Sequence, residues 1–156
     1  MRTILSKALV AFAITSIAAL AADNTLGTWK LNVAKSTYTP GPMPIKSLTV
    51  IREASDGGVK QTTTGERSDG TAVQASYTAK YDGKDVHVTG NSQYDTIAIK
   101  QVNANTLTDE RKKITGPYKA TGRTVVSSGG KTMTTTTKGT NADGKEFTQI
   151  LVLDKQ

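Results

Sequence analysis

The chain has 156 residues, 20 of them Lys or Arg against 13 Asp or Glu, for a formal charge of +7 and a pI near 9.6. It contains no cysteine, which excludes disulfides, thiolate metal sites and the lipid-bearing cysteine of a bacterial lipoprotein. The basic residues are scattered and aromatics are few, so the pattern does not predict a nucleic-acid partner, for which clustered charge and stacking platforms are needed.

Residues 1–21 have the three parts of a secretory signal. Arg2 and Lys7 form a basic start, Ala8 to Leu20 an apolar run, and Ala19 and Ala21 flank a cleavage site. That run is short of the roughly 20 residues a membrane-crossing helix needs, and no later stretch is uniformly apolar, so no transmembrane segment is expected. The mature chain is expected to begin near Ala22, carry a charge of about +5, form one domain over 22–156, and be periplasmic or secreted.

Gly27 to Val33 alternates as a first strand, with Trp29, the only tryptophan, Leu31 and Val33 on one face. Ala34 to Lys46 follows with Pro40, Gly41, Pro42 and Pro44. Proline at this density predicts an ordered connection over one end of the fold, without a regular strand or long helix.

From Ser47 the turn signals recur at nearly regular spacing: Asp56-Gly57-Gly58, Asp69-Gly70, Asp82-Gly83, Gly90-Asn91, Asn103 to Asn105, Gly116-Pro117, Gly129-Gly130 and Asp143-Gly144. Glycine supplies the positive φ of tight hairpins, so these turns predict about ten strands running up and down. The intervals are too short for the crossover helices of a parallel sheet. Threonine makes up about one residue in six, which suits a pleated, half-buried surface.

The clearest alternation is Ala72 to Tyr81, where Val73, Ala75, Tyr77, Ala79 and Tyr81 share one face. Val86 with Val88, Ile97 with Ile99, and Leu151 with Leu153 supply further rows; Ile150 and Val152 make the last strand apolar on both faces. Thr108 to Lys113 is the most ambiguous strand, carrying charge on both faces; its charges are expected near a rim or paired across strands.

These features together resemble the calycins, the superfamily of lipocalins and cytosolic fatty-acid-binding proteins. The residues that carry the resemblance are Gly27-Thr28-Trp29-Lys30-Leu31 at the first strand, the hairpin-linked strands after it, and the ending Val152-Leu153-Asp154-Lys155-Gln156. In look the chain is most similar to small lipocalin-like exported proteins of bacteria. The resemblance implies an all-β fold, a single up-and-down antiparallel barrel of about 8–10 strands. It implies that Trp29 plugs the closed end, and that a late-strand arginine stacks on it, for which Arg123 is the candidate by residue type. The chain departs from the pattern where fatty-acid-binding proteins place an Arg-x-Tyr carboxylate clamp on the last strand, since Leu151 and Leu153 stand there. It also has turn formers where their lid helices would fall, at Ala34 to Lys46.

For chemistry the sequence offers little. His87, the one histidine, alternates with Val86 and Val88 and is expected to face solvent, which argues against a general base or a metal ligand. Each Asp before Gly is explained by turn geometry and not by a calcium loop. No nucleophile elbow or phosphate loop is present, so no enzymatic activity, cofactor or metal is expected. The favoured expectation is a monomeric binder of a small hydrophobic or amphipathic molecule, lined by Val73, Ala75, Tyr77, Ala79, Tyr81 and Met133, and less securely by Leu48 and Val50. The competing expectation is a non-enzymatic envelope interaction or inhibitor protein that uses its loops, the Pro40 to Pro44 loop among them.

Overall fold

The computed structural model describes residues 22–91 and 93–156. The expected signal segment, 1–21, lies outside the described residues. Eleven strands follow in chain order: β1 (Gly27–Leu31), β2 (Thr37–Thr39), β3 (Ile45–Ser55), β4 (Gly58–Arg67), β5 (Ala72–Lys80), β6 (Val86–His87), β7 (Thr96–Asn103), β8 (Thr106–Lys112), β9 (Lys119–Val126), β10 (Thr132–Thr140) and β11 (Glu146–Lys155). They form one sheet in the order β5-β4-β3-β1-β11-β10-β9-β8-β7-β6, with β2 also on β11. Each pairing is antiparallel. The sheet curls until its ends meet: Ser76 on β5 exchanges both backbone hydrogen bonds with Thr89, at 2.9 Å each, and Gly83 N–H donates to Ile99 C=O at 2.9 Å.

The eight glycine and asparagine signals mark the eight connections from β3 to β11. Gly57 and Gly144 have φ of 72° and 76°, left-handed values that a side chain resists, and so fix the β3–β4 and β10–β11 hairpins at those residues.

The first strand is shorter than its alternation predicts. Val33 is 42% exposed and leaves the inward row, because the chain turns out at Asn32 into a 3₁₀ turn, Val33–Lys35. The Asn32 side chain accepts from Lys35 N–H at 3.2 Å, the local bond by which Asn diverts a backbone from a ladder. The expectation of no regular strand in Ala34 to Lys46 is corrected as well. Thr37–Thr39 rejoins the sheet as β2, with Thr37 opposite Ile150, and β3 has already begun at Ile45. Ser36 makes this return possible: its hydroxyl donates to Asn32 C=O at 2.7 Å and accepts from Val152 N–H at 2.9 Å, so the β11 backbone stays paired across the gap. β1 and β2 together fill one place in the barrel.

Strand directions separate two ends. The floor gathers residues 23–26 and the β3–β4, β5–β6, β7–β8 and β9–β10 turns; Asn24 N–H, for example, donates to Ala104 C=O at 2.8 Å. The rim gathers the 40–44 loop and the other turns. Ser68 in the β4–β5 turn holds that loop, donating through N–H to Pro44 C=O at 3.0 Å and through its hydroxyl to Met43 C=O at 2.9 Å.

Trp29 is fully buried among Leu31, Leu48, Val50, Val126, Met133 and Leu153. Its Nε1–H donates to Thr25 C=O at 2.8 Å, which draws the N-terminal segment across the floor. The cation over its ring is Lys155, 5.1 Å from the centroid. Arg123, assigned to that place by residue type, is exposed: β9 alternates strictly, with Ala120, Gly122, Thr124 and Val126 inward, so Arg123 projects from the outer face. Lys155 takes the position because the β1–β11 register sets it directly opposite Trp29.

Replacing so large a side chain leaves a cavity the ladder cannot collapse into. Trp29→Ala is expected to lower stability by about 3–5 kcal/mol, read from denaturant unfolding.

Candidate ligand-binding site

The interior is packed on two sides and open between them. Toward the rim, Tyr94, Tyr118, Phe147 and Tyr38 form a run of rings with successive centroids 5.6, 5.9 and 5.8 Å apart. Around Trp29 the second cluster fills the space beside β1. Between these lies a cavity of about 130 Å³, whose lining runs from Ile45, Arg67, Asn91 and Gln93 at the rim to Arg52 and Gln61 near the floor.

Four of the six residues expected to line it do so. Val73, Ala75 and Tyr77 face it from β5 and Met133 from β10; Leu48 and Val50 join them from β3. Ala79 and Tyr81 do not. Ala79 is buried opposite Val59, which takes up the room its small side chain leaves. Tyr81 lies past the end of β5, and its hydroxyl donates to the Asp23 carboxylate, on the floor. Leu151 and Leu153 also face the cavity, so the last strand presents hydrocarbon there.

What the interior adds is polar. Arg52, two residues beyond Val50 on the inward row of β3, is 6% exposed. Its Nε–H donates to Thr25 Oγ1 at 3.1 Å, and its Nη1 donates to Gln61 Oε1, which also accepts from the Tyr77 hydroxyl at 2.9 Å. Its Nη2 is buried with no acceptor. Leaving such a donor unsatisfied costs about 1–3 kcal/mol or more, because its hydration is gone and nothing replaces it.

The charged stretch in β8 is a strand, and at its rim end Lys112 and Lys113 pair with Asp85 and Asp95 on neighbouring segments at 2.6 and 3.6 Å, as expected, whereas Asp109 and Arg111 turn inward. Leu107, Asp109 and Arg111 occupy the inward row, and Asp109 is paired within its own strand, to Arg111, by contacts of 2.6 and 3.2 Å. The carboxylate has room because Gly122 stands opposite it on β9: a Cβ there would lie 2.2 Å from Asp109 Oδ2. Arg111 also lies over the Tyr94 ring, 5.6 Å from its centroid. Burial opposes the Arg111 charge, but Asp109 outweighs it and its pKa rises. Burial pushes the Tyr77 phenol up to about 12.

Alternation extended through these strands places the polar residues inward. Arg52 follows Leu48 and Val50 at steps of two, and Asp109 and Arg111 follow Leu107 in the same way. His87 is exposed, and among the described residues no group of three or more His, Cys, Asp or Glu is placed to hold a metal.

A single meander of hairpins rolls into a barrel, its first strand lying between β3 and β11 and its tryptophan buried toward the end crossed by the N-terminal segment. It is an up-and-down antiparallel β-barrel. No protein-family model and no curated protein matches the chain. Among solved structures it is similar to the zebrafish ileal bile acid-binding protein complexed with cholic acid, at 12% identity and a TM-score of 0.47, covering 86% of this chain and 100% of that one. It is also similar to lipocalin 12 from rat epididymis, at 9% identity and a TM-score of 0.48, covering 88% of this chain and 70% of that one.

Two measurements probe the interior. Asp109→Asn removes the counterion of a buried guanidinium and is expected to cost about 3–5 kcal/mol in denaturant unfolding. The buried phenols set an alkaline limit. Tyr77, Tyr81 and Tyr118 are each raised to about 12, so between about 10, where unfolded tyrosine ionises, and about 12 the unfolded chain releases protons that the fold retains. Stability is therefore complete below about pH 10 and falls as pH rises through that interval; tyrosinate absorbance is expected to lag in the native protein relative to the denatured one.

Proposed function

We propose that the protein binds a small hydrophobic or amphipathic molecule in the barrel cavity and releases it unchanged. The observation that carries this reading is the cavity between two well-packed clusters, with apolar walls from Leu48, Val50, Val73, Ala75, Met133 and Leu151 and a few polar groups converging on it. At about 130 Å³ it is close to the size of an engineered cavity that takes up benzene, and so suits a body of one ring or a short chain. A longer ligand requires the rim to open.

Export fits the same reading. Asp23 and Asn24, just past the expected cleavage site, are bonded to Tyr81 and Asn105, so the fold engages the chain immediately beyond residues 1–21. Among the described residues no helix is long and apolar enough to cross a membrane. The loop-mediated alternative rests on one side chain: Ile114, 72% exposed, lies in the β8–β9 turn at the rim, whereas no strongly exposed large apolar side chain lies between Pro40 and Pro44.

A ligand that binds only the native state, at free concentration c, stabilises it by RT ln(1 + c/Kd), about 2.7 kcal/mol at a hundredfold excess over Kd, and so raises the melting temperature. Toluene is expected to stabilise the protein in this way. Ala75→Leu, which fills the cavity from β5, is expected to abolish the shift while leaving a folded barrel. Native mass spectrometry of protein purified from its own host is expected to show a co-purifying small molecule; absence of both effects overturns the reading.

A further inference from the structure

Resting on that cavity, we propose that its ligand is a neutral hydroxylated ring, a phenol or a small cyclic alcohol, whose hydroxyl donates to the Asp109 carboxylate on the β8 wall.

The Asp109–Arg111 pair is complete as charge but not as hydrogen bonding. Arg111 Nε–H donates to Asp109 Oδ1 at 2.6 Å and Nη2 donates to Oδ2 at 3.2 Å. Among the described residues the carboxylate accepts from no other group. A carboxylate offers about four lone-pair sites, so half of its accepting capacity is unused. Asp109 and Arg111 both belong to the cavity wall, and no β9 side chain covers the carboxylate, because Gly122 stands opposite it.

The wall facing this pair is hydrocarbon. In the ten-strand circuit β8 lies five places from β3, so Leu48 and Val50 stand across the cavity from Asp109, with Val73 and Ala75 beside them. A ring fits against those side chains with its polar substituent turned to β8. The pair also selects against ions: a ligand carboxylate is repelled by Asp109, and an ammonium meets the Arg111 guanidinium bonded to that same carboxylate. A hydroxyl avoids both repulsions and forms a charge-assisted bond to Asp109. A group that only accepts leaves that carboxylate unanswered. In a purely apolar cavity the hydroxyl is a handicap, since it loses its hydration and gains no partner.

Toluene, benzonitrile and phenol, one ring each, carry no polar group, an acceptor and a donor respectively. Calorimetry and the ligand-induced rise in melting temperature at neutral pH rank them. Phenol is expected to bind at least about tenfold more tightly than benzonitrile and no more weakly than toluene. Asp109→Leu combined with Arg111→Met replaces the buried pair by apolar side chains, an exchange that often leaves stability intact. It is expected to invert the order, with toluene at least about tenfold tighter than phenol. Circular dichroism checks that the double variant folds. Carbon NMR of the aspartate carboxyls reads the same contact in the wild type: phenol, unlike toluene, is expected to shift the Asp109 resonance. Three results each overturn the hydroxyl assignment while toluene binding keeps the cavity reading: phenol no tighter than benzonitrile, a folded double variant with the wild-type order, or an Asp109 resonance that phenol leaves unmoved. If none of the three probes binds, both readings fall together.

Discussion

The structure depends on β1 pairing along both of its edges. Gly27 to Lys30 runs against β3, and Trp29 to Leu31 against β11, so one five-residue strand joins the first hairpin to the last and turns a long meander into a barrel. A chain without cysteine has no covalent staple for this closure. It uses burial instead: Trp29 sits at the junction, fully enclosed, with side chains from β3, β10 and β11 against it. At the opposite seam, where β5 meets β6 and β7, closure is limited to the Ser76–Thr89 exchange and isolated contacts near Gly83. The barrel is thus strongly joined on one side and lightly on the other.

Closing about ten strands encloses more space than a layer of aliphatic side chains fills. The chain fills the surplus in two ways. Stacked rings occupy the rim side, and buried polar groups occupy part of the rest. Asp109 and Arg111 satisfy one another over the gap left by Gly122, at the usual cost of desolvating two charges. Arg52 is different, because its partners, Thr25, Gln61 and, through Gln61, Tyr77, leave one donor over.

The architecture was legible because period-two alternation and glycine turns are local signals. Each Asp-Gly or Gly-Gly lies where the chain must reverse, and the Ala72 to Tyr81 row turned inward as a unit. Where that reading stopped short, the reason was physical. Val33 continues the alternation, but the Asn32 side chain captures the backbone, which periodicity does not register. Arg123 has the residue type for a partner of Trp29, but registry is a property of paired strands, and it is Lys155 that lies opposite. Ala79 and Tyr81 share a face with Ala75 and Tyr77, but a shared face does not say how far along the barrel the open space extends. Arg52, Asp109 and Arg111 lie on inward rows, where alternation points them to the interior although charge is ordinarily assigned to solvent or to a rim.

The interior charges also bear on how the fold closes. A polar group retained in a core without complete pairing lowers stability. Arg52 is moreover tied to the part of the chain that covers the floor: its Nε–H reaches Thr25, whose hydroxyl donates to Asp23, and Asp23 in turn holds Tyr81. The same Thr25 accepts the Trp29 indole through its carbonyl. One short segment therefore orients both the side chain that closes the barrel and the guanidinium at the bottom of the cavity. The position of the charge is set by the element that completes the fold.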